Sequence, residues 1–517
     1  MEEEKRTARG GRSAKILAPS PTKVTTSSFF HCHHHNPTVH LRSCQDFEYI
    51  TLYCQSNDRI DAEAPYLQAH QGPETSLHAL MSNQDGLEWV EGPFGLEPYW
   101  TREPEISTIS QIVRKHLNLS HGIPVDVVFH SKGAFTKLYK ISTPDVTYLM
   151  RISLAVDPIR RTESAVATMD FARQKISIPA PYIIAYSSDN SNELGFEWIL
   201  MDMVPGTTLH QAWRKMPWDA KEAVVKQLAE HQAQLFEHKF QKIGNLHRQA
   251  DKITVDQLVT TIFYQGDHLT HNVVRGPFTS SHEWLKARLQ LILADQQRIL
   301  DTSCDEDEIE DAEFAHGLAK KLFEILPTVF LPNVSANEPT VLFHGNLSMQ
   351  NIMVDEAGKL AMVMDWECVS AVPQWRACQL TSFLEGPMRE EKPDRNNYAP
   401  DSDEENEDDD GLDNEGITDL YWEHLLEYER NQLALLFLKE MGRLKPDWLA
   451  IMKQSKLKAD FEKAIQDCDN GWRNKVIKQW VDLLVMGNPG DFSLTDMLYQ
   501  QPEVDQTSQT SMDWEES

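Results

Sequence analysis

The stretch His344-Gly-Asn-Leu-Ser-Met-Gln-Asn351, followed by Met362-Val-Met-Asp365-Trp-Glu367, decides how this chain is read. Between the two segments, Ile352-Met-Val, the turn residues Asp355-Glu-Ala-Gly358 and Leu360–Met364 predict a β-hairpin. That spacing sets a histidine, two asparagines and a carboxylate at the mouth of one loop–strand–turn–strand unit. Asn351 and Asp365 offer oxygen donors, the ligand type that magnesium takes. Asn346 stands where phosphoryl transfer needs a group aimed at the attacking hydroxyl. An amide can orient a hydroxyl by hydrogen bonding, but it cannot take the proton. The segment therefore offers oxygen donors for a metal but no base. Two readings stay open: a weakened phosphotransferase, or a protein that keeps the cleft and works by binding.

Upstream of this loop the pattern is strand-rich. Val125–His130 and Lys137–Ile141 predict strands flanking Ser131-Lys-Gly-Ala-Phe-Thr136, with a third at Thr147–Ser153 and a helix at Arg161–Lys175. Pro179-Ala-Pro-Tyr-Ile-Ile-Ala185 leads into a fourth strand, Phe196–Met203 forms a fifth, and a helix near Ile106–Leu117 precedes them all. After Pro205-Gly206 the periodicity turns helical, at Lys221–Glu237, Tyr421–Met441 and Lys456–Leu484. The expected fold class is α+β and bilobal: a small antiparallel-sheet lobe with one main helix, then a large, mostly helical lobe. The expected organisation is an irregular 1–85, a sheet lobe with its leading segment at 86–204, a helical lobe at 205–490 with an acidic insertion at 401–416, and an acidic tail at 491–517.

Composition narrows the function classes. The 517 residues carry a formal net charge of -30, with 41% hydrophobic and 25% charged residues. Such a balance disfavours nucleic acid and anionic lipid as partners. Part of the excess is the run Asp401–Glu415, which has nothing apolar to bury and would accept a basic protein partner. No apolar stretch nears the ~20 residues of a membrane span. The seven cysteines are odd in number and form no CxxC pair, which suits a reducing compartment. A cytoplasmic protein is expected, because the acids at Glu2, Glu3 and Glu4 disfavour organelle import despite Arg6, Arg9, Arg12 and Lys15. The patch Phe30-His-Cys-His-His-His-Asn36 reads as a polar tail, since adjacent donors without a second cluster cannot close a tetrahedral metal site.

His344-Gly-x-Leu-Ser-x-x-Asn-Ile followed by Met-Asp365-Trp-Glu resembles the aminoglycoside phosphotransferase family, which is related to choline kinases and protein kinases. The resemblance extends to Gly133-Ala-Phe-Thr-Lys-Leu-Tyr139, Tyr148-Leu-Met-Arg151-Ile-Ser, Leu194–Met201 and Asp365–Pro373, and it is closest to a large fungal branch. It implies a protein-kinase-like fold with ATP between the lobes and a small-molecule hydroxyl as acceptor. It further implies Asp365 and Asn351 on Mg2+, with His344 and Asn346 in the catalytic loop. Gly133, Ala134 and Phe135 would cover the phosphates, Arg151 would replace the strand lysine that steadies them, and the hinge backbone at Asp202–Val204 would meet the adenine. Asn346 occupies the family's catalytic aspartate position. The helix glutamate that pairs with the strand cation should fall near residue 165, which is alanine; Glu163 lies about 200° around the helix and faces elsewhere. Trp366 and Glu367 are expected to pack and cap behind the metal site, and Cys368 and Cys378 to be core thiols. Arg275–Ser281 and Trp284 are expected near the acceptor pocket.

Overall fold

The computed structural model describes residues 84–92, 95–249, 252–332, 338–398, 419–487 and 493–499. The expectations for the histidine-rich patch and the acidic insertion lie outside the described residues, as does most of the tail.

The chain opens with a hairpin, β1 (Leu87–Gly92) and β2 (Gly95–Trp100), and helix α1 (Ile106–His116). It continues through β3 (Asp126–Lys132), β4 (Thr136–Ser142), β5 (Thr147–Ser153), α2 (Arg160–Lys175), β6 (Ile183–Ser187) and β7 (Glu197–Asp202). These last five strands form one antiparallel sheet in the order β3-β4-β5-β7-β6. The central β5 shows why two faces are covered. Alternation sends Met150 and Ile152 into the core under α1, and Leu149 into the core under α2. Arg151 and Ser153 share the Leu149 side and are buried as well. Helix α2 fits there because its buried residues are small: Ser164, Ala165, Ala167, Thr168 and Ala172.

The larger lobe begins with β8 (Thr207–Thr208), α3 (Leu209–Trp213), α4 (Trp218–Glu237), β9 (Lys239–Phe240), β10 (Gly244–Gln249), β11 (Lys252–Val255), α5 (Thr261–Tyr264), α6 (Ser281–Thr302) and α7 (Glu306–Val329). Next come β12 (Thr340–Phe343), β13 (Ile352–Val354), β14 (Leu360–Val363), β15 (Ser370–Pro373) and α8 (Gln374–Ala377). It closes with α9 (Asp419–Leu444), α10 (Pro446–Gln454), α11 (Lys456–Asp467), α12 (Asn474–Val485) and α13 (Leu494–Tyr499). The predicted β13–β14 hairpin is present, with β8 as a third strand. The continuous helix expected at Lys456–Leu484 is two helices. Turns at Asp467–Asn470 and Asn470–Arg473 break it, where Asp469-Asn-Gly471 favours a turn over a helix. A second sheet, β11-β10-β15-β12-β9, was not foreseen within the helical lobe. Its strands are short, β9 being a two-residue pair, so no period-2 pattern announces them.

One apolar core ties the lobes together. Leu149, Ala165, Val166, Ile199 and Met201 of the sheet lobe pack with Leu342, Leu347, Val363, Trp366 and Val369 around the motif loop. A direct bond from Val363 N–H to the Pro179 carbonyl (2.8 Å) joins the same two regions.

Candidate functional site

Strand β12 ends at Phe343 and delivers the motif loop to the interlobe core. His344 is 3% exposed, its Nε2 donates to the Met364 carbonyl at 2.9 Å, and its ring meets Trp366 edge-on at 5.2 Å. Burial pulls this imidazole below its usual pKa, against the pull of nearby Asp365, so it is neutral and its tautomer is fixed by the carbonyl. The Met364 N–H is used too, donating to the Asn351 carbonyl at 2.8 Å. Both polar groups of Met364 are thus pinned just before Asp365, whose backbone sits at φ 60. A left-handed non-glycine residue costs about 1–3 kcal/mol and persists only where its surroundings over-determine it. Here the hydrogen bonds of Met364 supply that constraint.

Around Asp365 the polar side chains interlock. Asn346 Nδ2 donates to Asp365 Oδ2 at 3.0 Å, and Asn351 Nδ2 donates to the Asn346 carbonyl at 3.0 Å. Using its nitrogen this way leaves Asn351 its amide oxygen as donor for a cation. The loop backbone is braced from below by Ser382 Oγ to the Gly345 carbonyl (2.8 Å) and by Phe383 N–H to the Leu347 carbonyl (3.1 Å).

The surroundings of Arg151 are built differently from what the helix phase suggested. Arg151 is 7% exposed on β5, and its Nη2 lies 2.7 Å from Glu367 Oε1. Arg161, in the first turn of α2, pairs with the other oxygen of Glu367. Glu367 is therefore not a packing cap; it is a buried carboxylate shared by two arginines. Burial and then Arg161 lower the pKa of Arg151, while Asp365 and Glu197 oppose them. Glu197 is pushed up to about 7 by burial, although the Thr162 hydroxyl and the Ile159 N–H both donate to it. Glu163 does face elsewhere than Arg151, accepting from Ser188 Oγ at 2.6 Å. Ala165 is fully buried in the interlobe core.

The loop expected over the phosphates is a tight turn, because β3 and β4 pair as far as Lys132 and Lys137. Gly133 N–H donates to the Thr136 carbonyl at 2.8 Å, and a side chain at Gly133 would press on Thr136 Oγ1. Ala134 is half-buried. Phe135 is 6% exposed, with its ring 5.6 Å from Tyr264 of the larger lobe, 6.2 Å from Trp89 of the leading hairpin and 5.1 Å from the Arg161 guanidinium. At the hinge, Asp202 spends its N–H on the Tyr182 carbonyl and its carboxylate on the Tyr182 N–H; Val204 lies in the linker beyond the end of β7.

Two further expectations are corrected. Trp284 is core, stacked obliquely on Trp375 at 6.3 Å, because it sits on the inner face of α6. Cys378 is buried, but Cys368 is exposed, with the Tyr264 hydroxyl 3.8 Å from its sulfur. Among the described residues one group of clustered metal-type donors lies away from the motif loop: Asp267, His268 and Asp295. There Nδ1 of His268 meets the Ile262 carbonyl at 2.6 Å and Nε2 meets both Asp295 oxygens at 2.8 and 2.9 Å. Burial opposes the charge on His268, yet Asp295 raises its pKa, so the group is an ion pair fastening α6.

Sequence reasoning missed the Arg151–Glu367–Arg161 cluster because it sought the partner of Arg151 on α2 alone. The available signal was a second acid two residues beyond Asp365.

The pattern of the Phosphotransferase enzyme family matches residues 126–408, more than half of the chain. A subtelomeric hrmA-associated cluster protein of Aspergillus fumigatus is 24% identical over 309 residues, covering 50% of this chain and 60% of that protein. Altered inheritance of mitochondria protein 9, mitochondrial, of Eremothecium gossypii is 24% identical over 331 residues, covering 53% of this chain and 54% of its own length. The chain thus spans less than two thirds of either relative. Among solved structures, the streptomycin–ATP–APH(2″)-IIa ternary complex aligns over 77% of this chain and 99% of that one, at 14% identity and a TM-score of 0.39.

Proposed function

Because the chain belongs to the Phosphotransferase enzyme family, we propose that it binds ATP with Mg2+ between its lobes and passes a phosphoryl group to a hydroxyl of a small molecule, slowly for want of a base at Asn346. The observation that carries this is the interlocked set of oxygens: Asn351 spends its nitrogen on the Asn346 carbonyl, and Asp365 is held in a strained backbone conformation beside it. Hard oxygen donors of this kind fit magnesium. When bound, the ion offsets charge on the phosphate oxygens. Asn351 and Asp365 hold it, Arg151 steadies the nucleotide, and Asn346 orients the acceptor hydroxyl through its amide. His344 keeps the strand of Asp365 in register. Losing a general base costs about 10²–10⁴-fold in rate, or roughly 3–5 kcal/mol of barrier. A loose transition state tolerates that loss better than acyl transfer does.

A second reading has its own support. The Asn346 amide donates to the Asp365 carboxylate at 3.0 Å, which engages one of the oxygens that a metal would need. In that reading the protein is a silent pseudokinase that binds nucleotide or a partner, and a basic protein is the partner suited to Asp401–Glu415.

Titration calorimetry with ATP and Mg2+, followed by phosphate release over a panel of hydroxyl-bearing metabolites, separates the two. Turnover that disappears in Asp365→Ala supports the enzyme. Binding without turnover, with turnover appearing in Asn346→Asp, supports the silent form. Absence of nucleotide binding sinks the enzyme and leaves only the partner-binding form of the second reading. The acceptor is proposed only as a small hydroxyl compound. Among the described residues no helix is long and apolar enough to cross a membrane. We assign the chain to the cytoplasm; fractionation into the mitochondrial pellet, the compartment in one relative's name, would reverse that assignment.

A further inference from the structure

The cleft's charges do not close in the way a strand cation and a helix acid would. Arg151 on β5 faces α2, yet the helix residue nearest the expected position is Ala165, fully buried among apolar neighbours. The carboxylate that meets Arg151 arrives instead from the segment after β14, two residues past Asp365, at 2.7 Å. Its second oxygen takes Arg161. Arg161 lies at the start of α2, with its guanidinium 5.1 Å from the ring of Phe135 in the turn between β3 and β4. All three side chains are less than one tenth exposed. A buried carboxylate within ion-pair reach of two guanidinium groups attracts both, which holds the two cations close together. Arg151 Nε and Nη2 are buried with no hydrogen-bond partner among the described residues, so the guanidinium keeps donors for an anion, and a polyphosphate can accept from them.

We propose that Glu367 is a positioning residue that takes the place of the absent helix acid, and that it holds Arg151 and Arg161 together as a two-arginine clamp for the nucleotide phosphates. This rests on the nucleotide-binding reading above. Its consequence is that the metal residue Asp365 and the phosphate cations belong to one short piece of chain. Displacing that piece moves both.

The test uses the full chain and ADP as probe, titrated by calorimetry with and without Mg2+. Glu367→Gln keeps the shape and removes the charge. It should weaken ADP binding roughly tenfold to a hundredfold, the range for a charged hydrogen bond, and by the same factor in both conditions. Arg161→Gln should weaken ADP in the same manner. Adding Glu367→Gln to the double variant Arg151→Gln/Arg161→Gln should change little, because Glu367 acts through both arginines. Folded Glu367→Gln protein that binds ADP within about twofold of wild type overturns the inference. So does a loss confined to the Mg2+ condition, which would make Glu367 a metal ligand. If Glu367→Gln does not fold, Arg161→Gln decides: unchanged ADP affinity there overturns the clamp. Wild type that binds no ADP would sink the nucleotide reading itself, an outcome distinct from wild-type binding that Glu367→Gln leaves intact.

Discussion

The two halves of the proposed site, one for metal and one for phosphate, are held by different kinds of contact. On the metal side, His344, Asn346, Asn351 and Asp365 are fixed by bonds within a short span of chain, from loop to hairpin and back. On the phosphate side, Arg151 finds its partner in Glu367, far along the chain and across the lobe boundary. A locally wired site can lose one member, as with Asn346, and keep its shape. A site wired at long range depends on the lobes staying docked.

Breaking the metal side should have the larger effect. Asp365→Ala should abolish Mg2+-dependent nucleotide binding and any turnover, read by calorimetry and phosphate release; retained turnover would remove Asp365 from the chemistry. Next in size is Asn346→Asp, which should raise turnover by about 10²–10⁴-fold. The same change replaces an amide–carboxylate bond by two facing carboxylates. The melting temperature without metal should therefore fall, and Mg2+ should restore it. An unchanged melting temperature would mean the Asn346–Asp365 bond contributes nothing.

The two lobes should also respond to pH with opposite signs. Burial pushes Glu197, in the sheet lobe, from 4.5 up to about 7. Below pH 4.5 both folded and unfolded states hold its proton; as pH rises toward 7 only the unfolded state ionises, so stability falls by about 3 kcal/mol. Burial pulls His231, inside α4 of the larger lobe, from 6.5 down to about 4. Above pH 6.5 it is neutral in both states; as pH falls toward 4 only the unfolded state takes the proton, again at a cost of about 3 kcal/mol. Urea titrations across pH 4 to 8 should show Glu197→Gln flattening the loss toward neutral pH and His231→Gln flattening the acid-side loss. Two variants with identical pH profiles would refute the contrast. The smallest effect belongs to Glu163→Ala. Its partners are Ser188 and Tyr186, not Arg151, so nucleotide affinity should stay within about twofold.

The same contrast sets what was legible in the sequence. The motif loop, its hairpin and the strands around Arg151 could be read because each depends on near neighbours and a regular period. The bilobal α+β architecture followed from the order of those elements. The Glu367 pairing was not legible, since helix phase reports only which residues share one face of α2. Neither was the exposure of Cys368: Asp365 takes a left-handed turn just before it, which upsets the alternation that would have placed the thiol inside. The break at Asp469-Asn-Gly471 was written in turn-forming residues but was outvoted by the helical pattern on either side.

The leading hairpin touches both lobes: Trp89 meets Phe135 in one, and Gln265 of the other donates to the Leu96 carbonyl at 3.2 Å. At the far end, Leu433, Phe437, Met441 and Trp448 complete the apolar interior that α4 begins. Both regions fall outside the segment that carries the family pattern. Expression limited to residues 126–408 would therefore yield a fragment stripped of its clasp and of part of its filling, prone to aggregate. Recognisable homology and the cooperative unit of folding have different borders in this chain.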